Sequence, residues 1–180
     1  MGGPMRVNDD LPWIPQSLQL IREADAAGIP VIGHCLGGQV MARAFGGTVT
    51  KNPVKEIGWG DVEATEAAAD WMGGVQRFEA FHWHGETFTN PPGATRILQS
   101  THCANQAFVR GPHLGLQCHV EMTDSMIRSW CRQWAAENVP ASASVQTPQQ
   151  MEENIDARIA AMRSVADRLY TRWIDGLSKD

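Results

Sequence analysis

Residues 11–27 carry Leu18, Ile21 and Ala24 near helical spacing, and Gly28 with Pro30 just beyond ends the run, which predicts a helix. Residues 29–33 form a short apolar run of buried-strand type. Residues 40–45 are helical again, up to the stop at Gly46-Gly47. Strand, tight turn and helix in that order belong to the α/β alternation of a parallel sheet. Strands are predicted over 56–64 and 77–84, with a short Ala-rich acidic helix over 65–72 between them. Three more short strands are predicted over 95–100, 104–109 and 114–119, and Thr123 then caps a helix reaching about residue 137. The last pattern is a long helix over about 148–177. Its apolar stripe runs through Met151, Ile155, Ile159, Met162, Val165, Leu169 and Trp173, and the simplest use of such a stripe is docking on its own domain.

Composition narrows the class. The chain has 180 residues, 43% hydrophobic and 19% charged, close to an ordinary globular domain of one unit. Lys and Arg number 15 against 20 Asp and Glu, a net charge of −5 with no basic patch for a phosphate backbone, so no nucleic-acid partner is expected. No apolar run approaches the roughly 18 residues that span a bilayer, so no membrane is expected. The first residues lack the charged-then-apolar pattern of a signal peptide, which points to a cytoplasmic protein. The four cysteines, Cys35, Cys103, Cys118 and Cys131, form no CxxC pair and read as separate thiols.

Cys35 stands apart because of its neighbours. Gly33-His34-Cys35-Leu36-Gly37 fits a nucleophile elbow, G-x-nucleophile-x-G, between a strand and a helix. Glycines are needed there because the sharp turn brings the backbone before and after the nucleophile into close approach. The turn sets Cys35 at a helix start, where unpaired N–H groups favour a thiolate, and leaves the Leu36 N–H free for an oxyanion. A cysteine hydrolase also needs a base and a group that orients it. His119 and Glu121 end the strand Gly115-Leu116-Gln117-Cys118, two residues apart and therefore on one side. His82-Trp83-His84 with Glu86 offers two rings on one strand face, but no third ligand is pinned by the sequence and no metal is expected. Phe81, Trp83 and Phe88 read as packing or cleft wall. His102 and His113 flank turns without an evident partner.

The segments GHCLGGQ (33–39), HWHGE (82–86) and GLQCHVEMT (115–123) resemble the class I glutamine amidotransferases, in the stand-alone branch related to the glutaminase domain of GMP synthetase. The opening Gly2-Gly3-Pro4 is similar to the family's oxyanion loop. The resemblance implies a flavodoxin-like three-layer fold, with an open, mostly parallel sheet and flanking helices. It implies Cys35 as nucleophile, His119 as base and then acid, Glu121 as orienter, and N–H groups of Gly3 and Leu36 as oxyanion donors. It also implies Gln39 as a holder of substrate and His84 as a residue shaping the substrate pocket, with no cofactor. The family's Q-F-H-P-E appears as Gln117-Cys118-His119-Val120-Glu121, which keeps the reacting pair and turns Cys118 into the sheet.

Domain boundaries expected on this basis are an amidotransferase domain over 1–138, a linker over 139–149 and a C-terminal amphipathic helix over 150–180. In the resembling family the GGP loop follows the first strands and helix, so about 50 residues of the expected fold, two strands and a helix at typical lengths, are expected to be missing before Met1. The implied activity is release of ammonia from the glutamine side chain for a synthetase partner, with a homo-oligomer as the other possible assembly. The alternatives are a γ-glutamyl peptide or γ-glutamyl amine hydrolase, and an inactive truncated remnant.

Overall fold

The computed structural model describes residues 5–135 and 140–177. Helix α1 (Trp13–Ala26) ends at Gly28, whose φ of +69° is a left-handed conformation that favours glycine. Strand β1 (Ile32–His34) leads through Cys35 into helix α2 (Leu36–Ala44). A long hairpin follows: β2 (Val49–Ala64), a 3-10 turn (Glu66–Ala68), helix α3 (Ala69–Met72), and β3 (Arg77–Phe88). Strands β4 (Thr95–Gln99), β5 (Ala107–Arg110) and β6 (His113–Leu116) precede α4 (Asp124–Ala135), whose first turn is capped by the Thr123 hydroxyl. Helices α5 (Pro148–Glu152) and α6 (Ile155–Asp175) complete the described chain.

The six strands form one sheet in the order β1-β6-β5-β4-β2-β3, and the α/β class with flanking helices stands. Strand direction departs from the expectation. Only β1 and β6 pair in parallel among the described residues; β6-β5, β5-β4, β4-β2 and β2-β3 are antiparallel. For β4, β5 and β6 the cause is connection length, since parallel neighbours need a crossover of a dozen or more residues and the turns between these strands are shorter. The single parallel pair has Ile32 opposite Leu114 and His34 opposite Leu116. It therefore sets the elbow and the segment after β6 side by side, at the end of the sheet where open α/β sheets hold their sites.

Two apolar clusters cover the two faces. Along β6, Leu114 and Leu116 belong to the cluster shared with α4, α5 and α6, while a Cβ on Gly115 would lie 2.4 Å from the Phe108 ring of the other cluster, under α1 and α2. The stripe of α6 (Ile155, Ile159, Met162, Val165, Ala166, Leu169) is buried in the first cluster, so it docks on its own domain. The single helix expected over 148–177 is two helices. Thr147 and Gln150 close a capping box on α5, and Asn154, in a left-handed conformation at φ +53°, turns the chain into α6. His113 also has a partner that was not evident from the sequence: its Nε2 is 3.1 Å from Asp25 of α1, which also pairs with Arg110.

Candidate active site

The elbow is built by close approach. Cys35 has φ +50° and ψ −111°, a strained conformation for a residue with a side chain, and its N–H donates to Leu116 O at 2.8 Å. A Cβ on Gly33 would meet Gly37 C at 2.6 Å, and one on Gly38 would meet Leu116 O at 2.2 Å. Both positions therefore exclude any larger residue while the turn keeps this shape. The Cys35 side chain is largely buried, with Sγ 3.8 Å from Trp83 O and 3.8 Å from Gln117 Nε2. Leu36 is the first residue of α2, so its N–H has no partner within the helix.

His119 is held from several sides. Its backbone exchanges two hydrogen bonds with Phe81 of β3, at 2.8 and 3.1 Å. Its ring stands edge-on to Trp130 of α4 with centroids 5.3 Å apart, and its Nδ1 lies 2.6 Å from Glu121 Oε1. Glu121 Oε2 accepts from the Val120 N–H at 3.0 Å, which fixes the carboxylate against rotation. Nδ1 faces a carboxylate and so carries a proton, which leaves Nε2 as the nitrogen that Glu121 does not engage. Nε2 is buried with no hydrogen-bond partner among the described residues. Burial pushes the His119 pKa down, but Cys35 and Glu121 outweigh it and raise it to about 10. For Glu121, burial pushes upward and His119 outweighs it, holding the carboxyl at about 2. The arrangement favours a protonated His119 beside Cys35, with Glu121 ionised behind it.

Beside Cys35 opens a cleft of about 510 Å³, lined among others by Gln39, Lys51, Trp83, His84, Glu86 and Trp134. Gln39 Nε2 donates to Gln117 Oε1 at 3.1 Å and to Glu86 O at 3.4 Å, so its amide is fixed in the cleft wall. His84 also contributes to that wall, but its ring is turned inward. Its Nδ1 lies 3.0 Å from Glu86 O and its Nε2 3.1 Å from Glu56 Oε2. Glu56 in turn accepts from Ser100 Oγ and Gln106 Nε2, both at 2.8 Å. Gly3, expected as a second oxyanion donor, lies outside the described residues, as does the rest of the Gly2-Gly3-Pro4 loop.

The residue that gathers the two strand histidines is Glu56, not Glu86. Strand pairing sets Glu56 opposite His84, and donor atoms of Glu56, His82 and His84 lie within 4.8 Å of one another. Glu86 instead lines the cleft, 3.9 Å from Arg6. Burial pushes the Glu56 carboxyl up, but His84, His82 and Ser100 outweigh it and hold the pKa at about 2, below its ordinary 4.5. A carboxylate with a depressed folded-state pKa stabilises the fold above pH 4.5, and that contribution is lost as pH falls toward 2. Its size is on the order of 3 kcal/mol. Glu56→Gln is therefore expected to lower the melting temperature at pH 7, with the gap to the parent protein narrowing between pH 4.5 and 2. Thermal melts across that range measure it.

Sequence reasoning missed Gln117, Glu56 and Gln106 as parts of the site. Gln117 lay inside the quoted motif, and its alternation with Cys118 was the available signal. Cys118 is fully buried as expected, with Sγ toward Gln106 O, and burial pushes its thiol far up.

The elbow cysteine and the histidine–carboxylate pair thus sit on segments that follow the one parallel strand pair of an α/β fold. The chain belongs to the family Glutamine amidotransferase class-I, whose sequence model matches residues 1–130. It is similar to GMP synthase [glutamine-hydrolyzing] of Vibrio vulnificus, with 24% identity over 201 residues, covering 97% of this chain and 38% of that protein. It is also similar to a glutamine amidotransferase-like protein of Salmonella typhimurium, at 32% identity over 127 residues, covering 67% of this chain and 53% of that one. The chain thus spans 38% and 53% of the lengths of these two curated relatives. Among solved structures, a glutamine amidotransferase from Methylobacillus flagellatus superposes with a TM-score of 0.95 at 48% identity, covering 100% of this chain and 76% of that one. Among the described residues, no helix is long and apolar enough to cross a membrane.

Proposed function

We propose that the protein hydrolyses the side-chain amide of glutamine through a γ-glutamyl thioester on Cys35. The observation that carries this reading is the buried His119, bonded to Glu121 through Nδ1 and with a free Nε2 near Cys35. Cys35 Sγ attacks the γ-carbonyl carbon, and the carbonyl electrons move onto oxygen. The Leu36 N–H, with Gly3 as the second donor, stabilises that oxyanion, each donor contributing roughly 3 kcal/mol. As the tetrahedral centre collapses, His119 gives its Nε2 proton to the departing nitrogen, which leaves as ammonia. A water then attacks the thioester, His119 takes its proton, and glutamate leaves as the thiolate reforms. Glu121 keeps the imidazole in the tautomer this requires.

The cleft supports a glutamyl substrate. Arg6, Lys51 and Lys55 line it with Glu86, which offers a cationic group for an α-carboxylate and an acidic one for an α-ammonium. Gln39 holds the substrate-side wall and His84 shapes it from behind. The ammonia serves a synthetase partner, in line with the GMP synthase relatives, and a homo-oligomer is the other possible assembly. The breadth of the cleft, about 510 Å³, also favours a second reading, in which a larger γ-glutamyl peptide or γ-glutamyl amine enters.

A panel of glutamine, a γ-glutamyl dipeptide and a γ-glutamyl polyamine separates the two. Equal release of glutamate and ammonia from glutamine is the expected result. A kcat/KM at least about tenfold higher on the dipeptide or polyamine would favour the second reading, and no turnover of any of the three would contradict both.

A further inference from the structure

The C-terminal helix reaches the site through one side chain that neither the proposed chemistry nor the family assignment uses. Tyr170, on α6, places its hydroxyl 2.9 Å from Nε2 of His34, the residue immediately before Cys35. The two rings meet edge-on, with centroids 5.8 Å apart. The same His34 Nε2 stands 3.8 Å from Glu121 Oε2, on the carboxylate that holds His119. Three elements far apart in sequence therefore converge on one nitrogen: β1, the segment after β6, and α6.

We infer that Tyr170 is a positioning residue: its hydroxyl donates to His34 Nε2, keeps that imidazole neutral and so reserves the Glu121 carboxylate for His119. The inference rests on the glutaminase reading above. A phenol hydroxyl in a half-buried site needs an acceptor, and His34 Nε2 is the one within hydrogen-bond distance among the described residues. A nitrogen that accepts from Tyr170 cannot at the same time carry a proton toward Glu121. Without that hydroxyl, Nε2 is free to take a proton, and a cationic His34 at this distance competes with His119 for the carboxylate. Among the described residues, the titratable groups facing His34 are Glu121 and His119 from the segment after β6 and Tyr170 from α6, with Cys35 next in the chain. Burial lowers the His34 pKa and raises that of Tyr170, both in keeping with a neutral pair.

The test is Tyr170→Phe in the full chain, with His34→Gln as the companion variant. An NMR titration of the His34 ring is expected to give a pKa higher by roughly one unit in Tyr170→Phe than in the parent protein. In glutamine turnover, the acid limb of kcat is expected to move up with it. The loss is then severalfold near pH 6, reaching about tenfold only well below it, and under about twofold at pH 8, with KM unchanged. In the His34→Gln background, adding Tyr170→Phe is expected to change nothing further. An unmoved His34 titration, a loss equal at both pH values, or the same loss with His34 already replaced would each overturn the inference. The titration reads His34 without turnover, so a failure of the inference is distinct from a failure of the glutaminase reading.

Discussion

Cys35→Ala is expected to abolish ammonia release from glutamine, lowering kcat by at least about 10⁴-fold, and to leave the fold intact. The chemical part follows from the role assigned to Sγ: without it no thioester forms, and the cleft holds the amide without an attacking group. The structural part follows from what Sγ touches. Its neighbours at 3.8 Å, Trp83 O and Gln117 Nε2, are at the outer limit for sulfur contacts, so removing it leaves no strong bond broken. Alanine is also close in size to a cysteine without its sulfur, and the shape of the turn is set by the glycines on either side. A melting temperature within a few degrees of the parent protein, together with lost turnover, is the expected pair of results. Turnover retained in Cys35→Ala would remove the nucleophile assignment outright.

Glu121→Gln is expected to lower kcat by roughly 10²–10⁴-fold with a smaller effect on KM. The carboxylate holds the proton on His119 Nδ1 at 2.6 Å, and an amide in its place can instead present an N–H to that nitrogen. The proton then moves to Nε2 in the neutral ring, which is the wrong tautomer for taking a proton there. The pH profile supplies a second readout. Glu121 is among the groups that raise the His119 pKa, so its loss lets that pKa fall and the protonated imidazole persist over a narrower range. The basic limb of kcat is therefore expected to move to lower pH. A variant that lost activity equally at every pH would point to misplacement of the whole segment after β6.

The parts of the site legible in the sequence are those that sit on local geometry. Gly33, Cys35 and Gly37 stand within one turn, and the backbone contacts that forbid side chains at Gly33 and Gly38 leave a mark in the residue types themselves. His119 and Glu121 are two residues apart, so their alignment needs only the local chain. What was not legible depends on register between distant strands. Glu56 meets His84 because β2 pairs with β3 with a shift between Lys51 and Glu56, and no local pattern shows where such a shift falls. Glu86, nearer in sequence to the two histidines, was the natural but mistaken partner, because it lies on the cleft side. Tyr170 and His34 are separated by 136 positions and joined only through the docking of α6.

Strand direction shows the same limit at the level of the fold. Helix-and-strand alternation around β1 and α2 is that of a parallel sheet, and the β1–β6 pair has that direction. Beyond it, the short turn at Gly111-Pro112 leaves no length for a crossover between β5 and β6, which turns that pair antiparallel. The helix break at Asn154 was likewise hidden, since the apolar stripe continues across it from Met151 to Ile155. The extended conformation of Glu153 and the left-handed one of Asn154 separate the two helices.

The central claim is that Cys35 forms a covalent γ-glutamyl bond in this cleft, and an electrophilic glutamine analogue tests it most directly. Incubation of the full chain with the analogue, followed by peptide mass spectrometry, is expected to find the added mass on Cys35. Cys103, Cys118 and Cys131, which unlike Cys35 do not line the cleft, are expected to stay unmodified, and excess glutamine is expected to slow the labelling. Label spread over the other thiols, or labelling of Cys35 at a rate that glutamine does not change, would contradict the account.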